Sequence, residues 1–192
     1  MGMKQALEII NAMEADGVID RYAIAGAVAA YNYIEPTLTE DLDILVSFGA
    51  APAGPQSGLI TLAPIFAYLK AKGYEDHRRE GLLIEGWSVQ FLPVASDLDT
   101  EALAQSQEVE IRTDEAVGSV WTRVLRAEHL VATCLRVGRP KDLVRIAQFL
   151  EENAVDIATL CEVLRRHGLS EAWRTFCRRV GIADPCQTQD RP

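Results

Sequence analysis

The run Asp41-Leu42-Asp43-Ile44-Leu45-Val46-Ser47-Phe48 constrains this chain more than any other. It is the strongest strand signal present, apolar and β-branched through its middle. Its entrance is the unusual part. Side chains alternate along a strand, so Asp41 and Asp43 project from one face, within reach of a single cation. Aspartate is disfavoured in strands, and two neighbouring carboxylates repel. A shared Mg²⁺ would remove that repulsion, and Mg²⁺ is commonly held by one or two carboxylates together with substrate phosphates. The same spacing also suits a solvated loop-to-strand junction in which Asp41 caps a turn.

Upstream, Tyr22 to Ala25 is a short apolar run closed by Gly26, which reads as a buried strand. Ala27 to Ile34 is alanine-rich and helix-compatible, stopping before Pro36 because the residue preceding proline avoids the helical region. A glycine between strand and helix lets the backbone approach a ligand, and the free N–H groups of the helix can hold phosphate oxygens. A plain tight turn would use the same residues.

The other periodicities predict a sheet followed by helices. Met3 to Ala15 repeats Leu7, Ile10 and Met13 at helical spacing and ends at Gly17. Ala50 to Gly58 reads as a loop, and Thr61 to Lys72 as a helix stopped by Gly73. Glu85-Gly86 reads as a hairpin turn between Leu82–Ile84 and Trp87–Val94. A helix over Leu98–Gln105 and strands over Val109–Arg112 and Ser119–Leu125 come next. Beyond Arg126 the pattern is helical throughout: Glu128–Val137, Pro140–Glu152, Ile157–His167 and Glu171–Val180, with Gly138 and Gly168 as stops. The expectation is an α+β fold: a small mixed-sheet core with flanking helices over 1–125, a helical part over 126–183 and a flexible tail over 184–192.

Charge divides the chain. Residues 1–111 carry 6 Lys and Arg against 17 Asp and Glu; residues 112–192 carry 13 against 11. The acidic first part argues against bulk electrostatic binding of nucleic acid. No apolar run is long enough for a membrane span, and Lys4, Glu8 and Glu14 interrupt the N-terminus where a secretory signal would need an apolar stretch. Cys134, Cys161, Cys177 and Cys186 are dispersed without a Cys-x-x-Cys pair, so reduced thiols in a cytoplasmic protein are expected rather than a disulfide framework. Apolar helix faces are compatible with a homodimer.

Ala25-Gly26-Ala27-Val28-Ala29, followed by Pro36-Thr37-Leu38-Thr39-Glu40-Asp41-Leu42-Asp43-Ile44-Leu45-Val46, resembles the nucleotidyltransferase superfamily with the polymerase-beta type fold. Within it, the bacterial abortive-infection type proteins are most similar. Trp87-Ser88-Val89-Gln90-Phe91-Leu92-Pro93 resembles the strand that brings a third carboxylate, and Glu128-His129-Leu130-Val131-Ala132 with Gly138-Arg139-Pro140-Lys141-Asp142 resembles the family's helical motif. The resemblance implies transfer of a nucleoside monophosphate from a nucleoside triphosphate to a protein or RNA acceptor, with Mg²⁺ in a two-metal arrangement. Asp41 and Asp43 would be the catalytic metal ligands. Gly26, Ala27, Thr39, Arg139 and Lys141 would bind the nucleotide. Four positions depart from the family pattern: Ala27, Leu38, Cys134 and Gln90. The last matters most, because a glutamine amide cannot act as a base. The alternative is therefore a catalytically weakened relative kept as a binding partner, as in a toxin–antitoxin-like pair.

Overall fold

The structure, a computed structural model, describes residues 2–49, 61–112 and 118–187. Among the described residues, seven strands form one mixed sheet in the order β3-β4-β5-β2-β1-β7-β6, and eight helices accompany them. The chain is an α+β protein with a helical C-terminal part. The elements of the sheet region run α1 (Met3–Ala15), β1 (Arg21–Ile24), α2 (Gly26–Ala30), β2 (Asp41–Ser47), α3 (Ala63–Ala71), β3 (His77–Arg78), β4 (Gly81–Ile84), β5 (Trp87–Pro93), α4 (Asp97–Ala104), β6 (Gln107–Arg112) and β7 (Ser119–Val124). After them come the helices α5 (Ala127–Val137), α6 (Pro140–Glu151), α7 (Ile157–Arg166) and α8 (Ser170–Val180). None of the described helices is long and apolar enough to cross a membrane. The loop expected over Ala50–Gly58 lies outside the described residues.

Residues 1–29 and 37–125 form one compact unit, and residues 30–36 with 126–192 a second. In the first unit β2 lies between β1, antiparallel, and β5, parallel. Leu42, Ile44 and Val46 are fully buried there. Helix α1 buries Ala6, Leu7, Ile10 and Met13, one stripe at helical spacing. Polar contacts fix its angle: Arg123 of β7 grips Glu14 with both terminal nitrogens at 2.6–2.9 Å, and the Asn11 amide donates to the Trp121 carbonyl at 3.0 Å. The buried Tyr22 hydroxyl donates to Asn11 and meets the Thr122 hydroxyl at 2.9 Å. Glu85 and Gly86 both adopt positive φ, as a two-residue hairpin between β4 and β5 requires.

The second unit packs α5 to α8 around Leu130, Ile146, Phe149, Leu160, Val163 and Trp173. The helix expected over Ala27–Ile34 stops at Ala30, because residues 31–36 find partners in this unit. The Tyr33 ring lies 6.1 Å from that of Phe149, and the Glu35 N–H donates to the Glu152 carboxylate at 3.0 Å. Strand β3, two residues long, gave no periodicity to read.

In the segment read as a flexible tail over 184–192, the Trp173 indole N–H donates to the Asp184 carboxylate at 2.9 Å, and residues 188–192 lie outside the described residues. The expectation of reduced thiols fails for one pair, since Cys161 and Cys186 form a disulfide with Cα atoms 5.5 Å apart. Helix α8 ends in a left-handed Gly181, φ 74°, and the chain then returns to α7. A contact made that way across 25 residues leaves no mark in local spacing. Cys134 and Cys177 are free and buried.

Candidate functional site

The parallel register of β2 on β5 sets Asp41 opposite Ser88 and Asp43 opposite Gln90. Side chains opposed in register share a face, so both aspartates and Gln90 belong to one side of the sheet. The Ala25 N–H donates to the Asp43 carbonyl at 2.8 Å, which fixes the end of β1 beside the start of β2. Gly26 comes next, with φ 61°. A Cβ added there would lie 1.9 Å from Asp43 Oδ2 and 2.9 Å from its Cγ. A larger residue would be strained at this φ and would force the Asp43 carboxylate to move. The glycine turn and the Asp-x-Asp strand, well separated in the chain, are thus one local arrangement.

Asp41 is partly exposed. The Thr39 hydroxyl lies 3.4 Å from the Asp41 backbone nitrogen and 3.5 Å from its carbonyl oxygen, so Thr39 shapes the strand entrance through the backbone. Arg79 Nη1 donates to Asp41 Oδ2 at 3.4 Å, and Arg78 donates to Glu40 at 2.8 Å. Arg79 is 64% exposed, so its pairing is a surface one, worth about 0–1 kcal/mol. Arg79 and Glu80 make the turn between β3 and β4, Arg79 with φ 57°. That turn delivers a guanidinium to Asp41 and a carboxylate to Gln90, whose amide donates to Glu80 Oε2 at 3.0 Å.

Glu80 and Gln90 also line a cavity of about 250 Å³ together with Leu62, Phe66, His77 and Leu92. Ser88 serves the sheet instead, its buried hydroxyl donating to the Arg78 carbonyl at 2.9 Å. Glu85 accepts the Tyr74 hydroxyl at 2.6 Å.

Among the nucleotide-binding candidates, Gly26, Ala27 and Thr39 stand with the aspartates in the first unit, whereas Arg139 and Lys141 belong to the second. Arg139 is committed locally. Its Nε and Nη2 donate to Asp142 at 2.7 and 3.2 Å, and its backbone N–H donates to the same carboxylate at 3.2 Å, closing the start of α6. Lys141 is exposed. Sequence reasoning missed Arg79 and Glu80. Their signal was the charged run Glu75 to Glu80 before Gly81, a turn composition with no motif attached.

Among the described residues, no three His, Cys, Asp or Glu side chains converge as a metal site. What the protein offers a cation at β2 is two carboxylates on one strand face, hard oxygen donors suited to Mg²⁺ when phosphate and water complete the shell. The bare Cα of Gly26 lets the Asp43 carboxylate lie against the turn. The donor set therefore fits Mg²⁺ bound with a phosphate ligand. No protein-family model matches this sequence, and no curated protein matches it.

Proposed function

We propose that Gly26, Asp41 and Asp43 bind a Mg²⁺–nucleoside triphosphate, and that the chain transfers a nucleoside monophosphate to a hydroxyl of a protein or RNA acceptor. The observation that carries this reading is the collision a side chain at Gly26 would have with the Asp43 carboxylate. It joins a glycine turn of the phosphate-approach type to a carboxylate pair of the metal-holding type. Bound Mg²⁺ would neutralise phosphate charge and stabilise the attacking and leaving oxygens.

In the transfer, the acceptor oxygen bonds to the α-phosphorus, the bond to pyrophosphate breaks, and the hydroxyl proton departs. Asp41 and Asp43 would hold the metal charge that orients the triphosphate, and the glycine turn at Gly26 keeps the end of β1 close beside them. Gln90 cannot take the proton. It holds Glu80, the carboxylate this arrangement offers as proton acceptor, directly or through water. Use of a nucleoside triphosphate suits a cytoplasmic protein.

A second reading, a binding partner without transferase activity in a toxin–antitoxin-like pair, is favoured by two observations. Gln90 stands where a carboxylate would serve catalysis, and Arg79 already lies on Asp41. Calorimetric titration of ATP, GTP, CTP and UTP, with and without Mg²⁺, tests both. Binding that needs Mg²⁺ and is lost in Asp41→Ala and Asp43→Ala is the expected result. Failure of every triphosphate to bind would remove the nucleotide site. Binding without pyrophosphate release, whatever acceptor is offered, would select the second reading.

A further inference from the structure

Beyond Gly181 the chain crosses back over the helical unit; the Ile182 N–H donates to the Cys177 carbonyl at 3.0 Å, and two further attachments hold the chain at Asp184 and Cys186. One is covalent, Cys186 to Cys161 in the middle of α7. The other is the Asp184 carboxylate, whose Oδ1 accepts both the Trp173 indole N–H and the Cys186 backbone N–H at 2.9 Å. Asp184 thereby couples the cross-link to Trp173, which is 1% exposed and stacks on Phe176 with ring centroids 5.5 Å apart.

Both bonded cysteines are only partly buried, and both line an open cavity of about 290 Å³ shared with Leu164, Arg165, Trp173 and Asp184. The cavity gives a small thiol a path from solvent to the two bonded residues. The third cysteine of the region, Cys177, is 2% exposed, and burial beside the Asp184 charge pushes its thiol up to about 11. It is protonated at neutral pH, so it does not compete for the disulfide.

We propose that Cys161 and Cys186 form a reversible redox site, a latch whose reduction by a dithiol releases the Cys186 end of residues 182–187 and uncovers Trp173. A thiolate of the dithiol attacks one sulfur, forming a mixed disulfide and expelling the other cysteine as a thiolate, which takes up a proton. The second thiol of the reductant, deprotonated, then attacks the mixed disulfide and frees the remaining cysteine. Two electrons pass to the protein, and the reductant leaves as its own cyclic disulfide. With the covalent tie gone, the segment keeps its Ile182 bond to α8 and the Asp184 contact, and its end at Cys186 swings away so that the cavity opens toward the indole.

The test uses the full chain carrying Trp87→Phe and Trp121→Phe, so that Trp173 alone reports by fluorescence. Prepared without reductant, it should have an intact mass two hydrogens below that of the all-thiol chain, and peptide mapping should recover Cys161 joined to Cys186. Dithiothreitol should shift Trp173 emission to the red and speed exchange of the Cys186 amide about tenfold or more, while leaving the far-ultraviolet helical signal intact. Reoxidation should reverse both changes. A Cys161→Ser/Cys186→Ser variant should show the reduced behaviour without reductant and ignore dithiothreitol. Four alkylatable thiols in protein prepared without reductant would overturn the proposal, as would Trp173 emission and Cys186 exchange unmoved by reduction. Loss of helical signal on reduction or in the double variant would also overturn it, marking the bond as a structural brace.

Discussion

Two aspartate-bearing entrances, that of β2 and that of α6, look alike in sequence and differ in what surrounds the carboxylate. Asp142 is 1% exposed, and its oxygens take Arg139 Nε, Nη2 and backbone N–H within 2.7–3.2 Å. Those three contacts fill most of its acceptor sites at the start of a helix, where negative charge is favoured. Asp41 is partly exposed and receives one guanidinium contact at 3.4 Å from a residue largely in solvent. Asp43 faces a glycine that leaves its carboxylate room. A carboxylate consumed by its own element stabilises that element, whereas one held loosely on a strand face can exchange its partner for a ligand. By this measure Arg139 and Asp142 are a helix cap, and Asp41 of β2 is the more available carboxylate, the one on which the proposed site depends.

If those aspartates do not hold the sheet, other groups must, and Tyr22 is the clearest. Burial raises its phenol to about 12. The folded state keeps the proton that the unfolded chain loses near pH 10, so this stabilisation is complete below pH 10 and lost as pH rises from 10 to about 12. Two pKa units correspond to about 2–3 kcal/mol. Denaturant titrations between about pH 9 and 12 should show stability falling by that order, and Tyr22→Phe should remove most of the slope. Tyr74 is also raised to about 12, through its bond to Glu85. It is less buried, so Tyr74→Phe should flatten the slope less. An unchanged slope in Tyr22→Phe would place the alkaline sensitivity elsewhere.

The two entrances should then part company under substitution. Asp142→Ala removes a cap and its ion pair and should cost about 1–3 kcal/mol, with no loss of triphosphate affinity. Asp41→Ala should change stability by less than about 0.5 kcal/mol and abolish Mg²⁺-dependent binding. Equal destabilisation by both would erase the distinction. Gly26→Ala falls between them. It forces a left-handed conformation on alanine and drives a methyl into Asp43, so about 1–3 kcal/mol of stability and the binding should be lost together.

How far the sequence revealed each entrance depends on the range of the interactions. Periods of two and 3.6 gave the sheet, the hairpin at Glu85-Gly86 and four C-terminal helices, because those are local. The pairing of Asp41 with Asp43 needed only strand parity. Gln90 opposite Asp43 depended on register between two strands and became an expectation only through resemblance. Arg79 and Glu80 reach the site from a two-residue turn after a two-residue strand, too short for any period. Cys161–Cys186 is further still, set by where α8 ends and how the chain returns. What stayed illegible was tertiary, and it includes the groups that decide whether the site is occupied by a ligand or by arginine.

Arg79 gives the smallest effect and the sharpest test. Its contact with Asp41 is long and solvated, so Arg79→Ala should leave stability within about 0.5 kcal/mol of the parent. Its guanidinium, however, stands where a divalent cation would be drawn. If the aspartates are a ligand site, removing Arg79 strengthens the local negative field and should tighten Mg²⁺ by several-fold, one kcal/mol being about fivefold. If Arg79 instead contacts the triphosphate, the same substitution weakens nucleotide binding while leaving metal binding alone improved. Titrating Mg²⁺ with and without ATP separates these cases. No change in either affinity would mean that the guanidinium neither guards nor serves the pair, and that the Asp41 entrance is as inert toward ligands as the capped one at α6.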